Sequence, residues 1–84
     1  MNWKVKVEIT LKQGILDPQG AAVENALASL EYNNVNQVRV GKYLELHLNG
    51  LLKEEARQQV EEMCHRLLTN PVIEDYKYTL EELS

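Results

Sequence analysis

The 84-residue sequence predicts an α+β fold whose elements follow the order β-α-β-β-α-β within a single domain, residues 1–84. Three observations support this order. Apolar and polar residues alternate from Trp3 to Lys12, which is the period of a strand with one dry face. A stripe of apolar residues at helical spacing follows, and alternating segments and a helical stripe then occur again. The predicted fold is ferredoxin-like, an antiparallel sheet with two helices on one face.

The first helix is predicted to begin at Pro18. The carboxylate of Asp17 can accept a hydrogen bond from a free backbone N–H of the first turn, and proline fits the first helical position. One helical face is apolar and consists of Val23, Ala26, Leu27 and Leu30. The helix should end near Glu31, with Asn33 or Asn34 in the left-handed conformation that closes a helix.

The segment 38–48 leaves two arrangements open. Val38 and Val40 are predicted to start a second strand, and the alternating leucines of 44–48 mark a third. A three-residue connection, 41–43, lets the dry faces of the two strands agree. Alternatively, the segment is one long strand bent by a bulge at Gly41, and that arrangement would favour exchange of strands between two chains.

The second helix is predicted from an apolar stripe that consists of Ala56, Val60, Met63, Cys64 and Leu67. Its start is weakly signalled because Leu51 and Leu52 are poor caps, whereas Pro71 marks its end. The last strand should follow, with apolar residues alternating at Tyr76, Tyr78 and Leu80.

Composition limits the classes of function. The net charge of -4 argues against a surface for nucleic acid or an anionic membrane, and no apolar run approaches the ~18 residues of a membrane span. One cysteine excludes an internal disulfide and fits a reducing cytosol, so a soluble cytoplasmic protein is predicted. Because so short a chain buries a small core, we expect a homodimer or a dimer of dimers.

No residue pattern predicts catalysis, a cofactor site or a metal site. Cys64 lies on the apolar stripe, and His65 points about 100° away around the helix, so a structural role for the cysteine is favoured. His47 has no second histidine or cysteine at metal-ligand spacing. No nucleophile–base pair or carboxylate dyad can be identified, and the residues therefore predict a binding or assembly module.

Three exposed residues, Arg39, Lys42 and Tyr43, cluster at the turn between the middle strands. Arginine and tyrosine are favoured at protein interfaces, but an ordinary solvated turn explains the cluster equally well. The stretch from Asp17 to Gly20 could bind an anion at a helix N-terminus; the negative charge of Asp17 makes a capping role the better interpretation.

Five stretches of the sequence resemble the PurS family, the small subunit of phosphoribosylformylglycinamidine (FGAM) synthase. They occur in order over nearly the whole chain: Lys4-Val5-Lys6-Val7, Leu16-Asp17-Pro18-Gln19-Gly20, Val38-Arg39-Val40-Gly41-Lys42-Tyr43, Glu62-Met63-Cys64 and Asn70-Pro71-Val72-Ile73-Glu74-Asp75-Tyr76. The chain departs from the family at Glu31, where many relatives have glycine, and in the segment 49–53.

The resemblance implies a non-catalytic subunit of a synthase that converts formylglycinamide ribonucleotide, glutamine and ATP into FGAM, ADP, phosphate and glutamate. A large PurL-like subunit would use ATP and Mg²⁺, and a PurQ-like glutaminase would release ammonia. PurS-like chains form dimers that join these two subunits and help ammonia pass between them. The competing hypothesis is a ferredoxin-like regulatory module that binds a small effector at a dimer interface.

No catalytic residue is implied for this chain. The residues that carry the family's pattern at the first helix and at the middle turn are the predicted contacts to partner subunits: Asp17, Pro18, Gly20, Arg39, Gly41, Lys42 and Tyr43.

Overall fold

The computed structural model describes residues 1–83. The elements are β1 (Asn2–Leu11), α1 (Pro18–Ser29), β2 (Lys42–Leu48), α2 (Lys53–Met63) and β3 (Glu74–Leu83). Within one chain the sheet has three strands in the order β2-β1-β3, and β1 pairs antiparallel with both neighbours. The α+β class, the antiparallel sheet and the two helices are confirmed, but within one chain the succession is β-α-β-α-β because one of the two predicted middle strands does not form.

The core lies between the dry face of β1 and α2. Trp3, Val5, Val7 and Ile9 of β1 are buried, and Ala56 and Val60 of α2 cover them together with Cys64 at the end of that helix, all three fully buried. The burial confirms the predicted core position of Cys64. The strand register determines which residues of β2 and β3 share this face. Val5 lies between Leu46 on β2 and Leu80 on β3. Directly paired residues point to the same side of a sheet, so both leucines lie on the dry face.

The two ends of α2 are stabilised by side chains. At its start, Glu55 accepts a hydrogen bond from the backbone N–H of Leu52 at 2.9 Å, which compensates for the poor cap. At its end, Cys64–Leu68 forms one π-helical turn. There the carbonyl of Cys64 accepts hydrogen bonds from the Thr69 hydroxyl at 2.9 Å and from the Thr69 N–H at 3.0 Å. Both bonds join residues five positions apart, so the wider turn satisfies a carbonyl that the helix end leaves free.

The segment predicted to form the second strand belongs to no strand within one chain, and β2 begins only at Lys42. Its N–H groups are taken by acidic side chains of the first helix region. The N–H of Val40 donates to Oδ2 of Asp17 at 2.9 Å, and the N–H of Val38 donates to Glu24 at 3.4 Å. Neither the hairpin nor the long bent strand therefore forms within a single chain.

The left-handed residue that closes α1 is Glu31, with φ 73°, and not Asn33 or Asn34 as predicted. The reason is the position of the helix end: the N–H of Tyr32 bonds back to the carbonyl of Leu27 at 3.0 Å, which requires a left-handed residue just before it. Glycine adopts this conformation without strain, whereas glutamate does so only rarely.

Candidate functional site

The N-terminus of α1 is tied to the segment before β2 by one carboxylate. Oδ1 of Asp17 accepts the N–H of Gly20 at 2.8 Å, and Oδ2 accepts the N–H of Val40 at 2.9 Å. These two bonds, with that of Gly20 contributing most, hold the pKa of Asp17 below its ordinary value. The capping role predicted for Asp17 is confirmed, and both of its oxygens are occupied within the chain.

Two glycines make the same junction possible. A Cβ atom at Gly20 would overlap the carbonyl oxygen of Val38, and one at Gly41 would overlap that of Ile9. Both neighbours are backbone atoms, so neither can move away without moving its segment. We call Asp17, Gly20, Val38, Val40 and Gly41 the α1 junction. Three of the seven predicted contact residues, Asp17, Gly20 and Gly41, thus have a role within the fold itself.

Three of the remaining predicted contact residues, Pro18, Arg39 and Lys42, are exposed around the junction. Asp17, Pro18, Gly41 and Lys42 line one shallow cavity of about 450 Å³, and Arg39 lines a second of about 230 Å³ beside Asp17. The ammonium group of Lys42 lies 3.7 Å from Glu74 at the start of β3.

Tyr43 lies apart from the other six residues. It pairs with Glu8, so it stands on the polar face of the sheet, and its hydroxyl donates to Glu45 at 3.3 Å. The structure therefore brings six of the seven residues together at one end of the sheet. Their contacts to partner subunits stay a prediction.

The apolar stripe of α1 is exposed. The sequence predicted an apolar helix face, but it did not predict that this face would be open to solvent. Gly20 is the only buried residue of this helix, whereas Val23 and Leu30 are 43% and 67% exposed. We call Val23, Ala26, Leu27 and Leu30 the α1 stripe. A helix in a folded domain normally buries such a stripe, so this one lacks its cover within the single chain.

A second open surface lies over β2. Leu44 and Leu46 pair with Val7 and Val5 and face the same side as those fully buried valines. Both leucines pack against the core, but they are only partly buried. The position above them is the one a first helix would occupy in a ferredoxin-like fold. In this chain α1 does not fill it.

One flank of α2 is open as well. The ring of His65 contacts Tyr76 edge-on, with centroids 6.0 Å apart, so the His65 side of the helix faces β3. Met63 and Leu67 lie on the opposite flank, because neighbouring residues are separated by about 100° around a helix. Leu67 is 82% exposed, and both side chains line a groove of about 420 Å³. Leu44 and Leu46 do not line this groove themselves. We use the name β2 groove for Leu44, Leu46, Met63 and Leu67 taken together.

The opposite face of the sheet is polar and carries ion pairs between strands. Lys4 lies 3.1 Å from Glu45, and Lys6 lies 2.8 Å from Glu81. The hydrogen bond and charge of Glu81 raise the pKa of Lys6, and the same contact lowers the pKa of Glu81. Because these charges are exposed and satisfy one another, we assign them no chemical role.

Nothing in the described part of the chain is arranged for catalysis. Burial raises the pKa of the Cys64 thiol, which disfavours the reactive thiolate. Within residues 1–83, no three His, Cys, Asp or Glu side chains are grouped so that they could hold a metal ion. None of the helices in this range is long and apolar enough to cross a membrane.

Comparison with known proteins gives one consistent result. The family model described as PurS, phosphoribosylformylglycinamidine (FGAM) synthase, matches residues 4–82. The FGAM synthase subunit PurS of Bacillus subtilis is 51% identical over 81 residues, which are 96% of this chain and 95% of that protein. The same subunit of Methanocaldococcus jannaschii is 41% identical, over 96% of this chain and 98% of the relative.

Solved structures agree with the sequence comparison. The B. subtilis PurS structure in its C2 crystal form superposes with a TM-score of 0.84, at 51% identity, and covers 95% of this chain and 99% of that one. A chain of the PurLQS structure from Thermotoga maritima superposes with a TM-score of 0.87, at 28% identity, and covers 96% and 99%. Sequence, fold and length all agree, and the chain belongs to the PurS family of FGAM synthase subunits.

Proposed function

We propose that residues 1–84 act as a single PurS-like domain, the non-catalytic assembly subunit of FGAM synthase in purine biosynthesis in the cytoplasm. In this role the chain joins a PurL-like synthase subunit to a PurQ-like glutaminase. The observation that carries the proposal is the match of nearly the whole chain to the PurS family and to a chain of the PurLQS structure from T. maritima.

The chemistry takes place in the partners. The PurL-like subunit uses ATP and Mg²⁺ to convert formylglycinamide ribonucleotide to FGAM, and the PurQ-like subunit supplies ammonia from glutamine. Ammonia that reaches bulk water is protonated and lost, so the two sites must be held together and shielded from solvent. A subunit without catalytic groups contributes to this transfer by fixing the contact between its partners.

The working form of the chain is a homodimer in which the α1 helices are exchanged. The α1 stripe of one copy covers the β2 groove of the other, and the symmetry of a twofold axis repeats the contact. Each copy thus supplies the apolar helix face that its partner lacks. The segment 38–40, which pairs with nothing in its own sheet, connects the exchanged helix to β2.

The shape of the single chain supports this exchange. Its radius of gyration is 16.5 Å and its extents are 50 × 29 × 14 Å, whereas a compact chain of this length has a radius of roughly 12 Å. The core between β1 and α2 therefore occupies only part of the length of the chain, and the α1 stripe lies outside it. The α1 junction also fixes α1 away from the sheet with hydrogen bonds and tight backbone contacts, so exchange requires no rearrangement of the junction.

The proposed function is tested by reconstitution with the PurL-like and PurQ-like subunits of the same organism. Alone, the chain should show no turnover. Leaving it out should abolish glutamine-dependent FGAM synthesis but preserve synthesis from a high concentration of ammonium, since the synthase keeps its own ATP and ribonucleotide sites. Equal loss of both activities would mean that the chain contributes to the synthase site. If leaving the chain out changes neither activity, the assembly role is wrong.

A further inference from the structure

The loop between β2 and α2 is held in place by the start of β1. The indole N–H of Trp3 donates to the carbonyl of Leu51 at 2.9 Å, and the N–H of Leu51 donates to the carbonyl of Met1 at 3.1 Å. The N–H of Gly50 donates to Oδ1 of Asn2 at 3.1 Å. The backbone of this loop is therefore ordered by bonds to a neighbouring strand, and the side chains it carries have fixed positions.

Leu52 is exposed at the end of this ordered loop. Its side chain is 64% exposed, whereas the adjacent Leu51 packs against the core. Met1, which bonds to Leu51 through its carbonyl, is 62% exposed. We call Gly50, Leu51 and Leu52 the α2 entry. Because two large apolar residues are exposed on adjoining segments, this surface differs from a single scattered leucine.

Position 52 is one at which the fold itself would favour a polar residue. Leu52 is the N-cap of α2 and has the extended backbone of a cap, with φ −72° and ψ 158°. Glu55 already supplies half of a capping box by accepting the N–H of Leu52. A serine hydroxyl at position 52 could supply the other half by accepting the N–H of Glu55, and serine is strongly preferred over leucine at an N-cap. The stability of the single chain therefore does not explain the leucine.

The α2 entry lies away from the surfaces already assigned to other contacts. It follows Leu48 at the far end of β2 from Lys42, and six residues of strand span roughly 20 Å. Along α2 it is also roughly 20 Å from Leu67 of the β2 groove. Exchange of the α1 helices therefore leaves it open, and it is at the opposite end of the sheet from Arg39 and Lys42. A subunit that joins two others needs a contact surface for each.

We propose that the α2 entry is a docking surface for a partner subunit of the synthase, with Leu52 inserting into an apolar pocket of that subunit. The inference rests on the proposed function and adds a specific contact to it. An aliphatic side chain on a rigid backbone is suited to this role, because little conformational entropy is lost when it enters a pocket. Methionine is enriched at protein interfaces, which fits Met1 at the border of the same surface.

Two substitutions at position 52 test the inference. The chain is titrated into fixed amounts of the PurL-like and PurQ-like subunits of the same organism, and complex formation is followed by sedimentation velocity. For Leu52→Ser the half-saturating concentration should rise at least about tenfold, the lower bound for the loss of one buried leucine. Leu52→Met is the matched control and should stay close to the unmodified chain, since methionine is apolar and of similar volume.

The stability of the chain alone should change in the opposite direction to its binding. Leu52→Ser should raise the midpoint of urea unfolding, because the serine completes the capping box. It should also leave the mass of the free chain in sedimentation unchanged. Weaker assembly combined with a higher midpoint supports the docking surface. A lower midpoint would give Leu52 a structural role, and a lower mass would place it between copies of this chain; either result overturns the inference.

The unmodified chain separates this inference from the proposed function. If it assembles with the two partners and Leu52→Ser assembles equally well, the docking surface is wrong and the assembly role stands. If the unmodified chain does not join the partners at all, both the assembly role and the docking surface are wrong.

Discussion

Replacing Gly20 by alanine is expected to destabilise the fold by about 1–3 kcal/mol, the range for inserting a methyl group into a fully packed site. The new Cβ would overlap the carbonyl oxygen of Val38 and lie 2.8 Å from Oδ2 of Asp17. Relief requires α1 to move away from the segment before β2. Such a movement breaks the bonds from Asp17 to Gly20 and Val40, so the change should damage the whole α1 junction.

The direction of the stability change in Gly20→Ala shows whether the close contact with Val38 is present. In an open helix, alanine in place of glycine stabilises by up to about 1 kcal/mol. The matched control is Gln19→Ala, an exposed position one residue earlier in α1. We expect the midpoint of urea unfolding to fall for Gly20→Ala and to stay unchanged for Gln19→Ala. A higher midpoint for Gly20→Ala would show that the close approach to Val38 is not needed by the native fold.

Leu27→Asp is expected to separate the homodimer into single chains. In the exchanged dimer that we propose, Leu27 would face the β2 groove of the other copy, and burying a leucine contributes about 1.5–3 kcal/mol. The contact occurs twice, and the aspartate would also lose its hydration there. The dissociation constant should therefore rise by at least about a hundredfold, since 1.4 kcal/mol corresponds to a factor of ten. Sedimentation velocity at micromolar concentration measures the change.

Ala28→Asp provides the control for this variant. Residue 28 follows directly on the same helix, is exposed, and lies on the face away from the α1 stripe. It adds the same charge at nearly the same distance from the helix end, so effects on the helix alone should be shared. If both variants dissociate equally, or if Leu27→Asp remains a dimer, then the α1 stripe does not form the interface.

The parts of the fold that depend on neighbours in sequence were predictable. Alternation along β1 places Val5 and Val7 inside because a strand side chain must point to one face or the other. Asp17 and Pro18 mark the start of α1 because both act within the first turn. The resemblance in these same stretches identified the family correctly.

The parts of the fold that depend on residues distant in sequence could not be predicted. Periodicity showed that the α1 stripe must be covered, but it carries no information on whether the cover comes from the same chain. Val38 and Val40 have the pattern of a strand, yet their N–H groups bond to Glu24 and Asp17, which no local pattern reveals. The need for glycine at positions 20 and 41 arises from backbone segments far away in sequence.

The family pattern around α1 therefore has two interpretations that the sequence could not separate. Asp17, Gly20 and Gly41 were predicted as contacts to partner subunits, and the structure gives each of them a role in the α1 junction. Arg39 and Lys42 have no comparable role in the core, since both are exposed. They are the residues of this group at which contact with a partner can be tested without damage to the fold.

The most direct test of the assembly role follows a labelled PurQ-like glutaminase in sedimentation with the PurL-like synthase. We expect the label to move with the synthase only when this chain is added, and the chain to appear in the same boundary. The chain with Arg39→Glu and Lys42→Glu should remain a folded dimer but carry less of the label. Movement of the glutaminase with the synthase to the same extent in the absence of this chain would contradict the account.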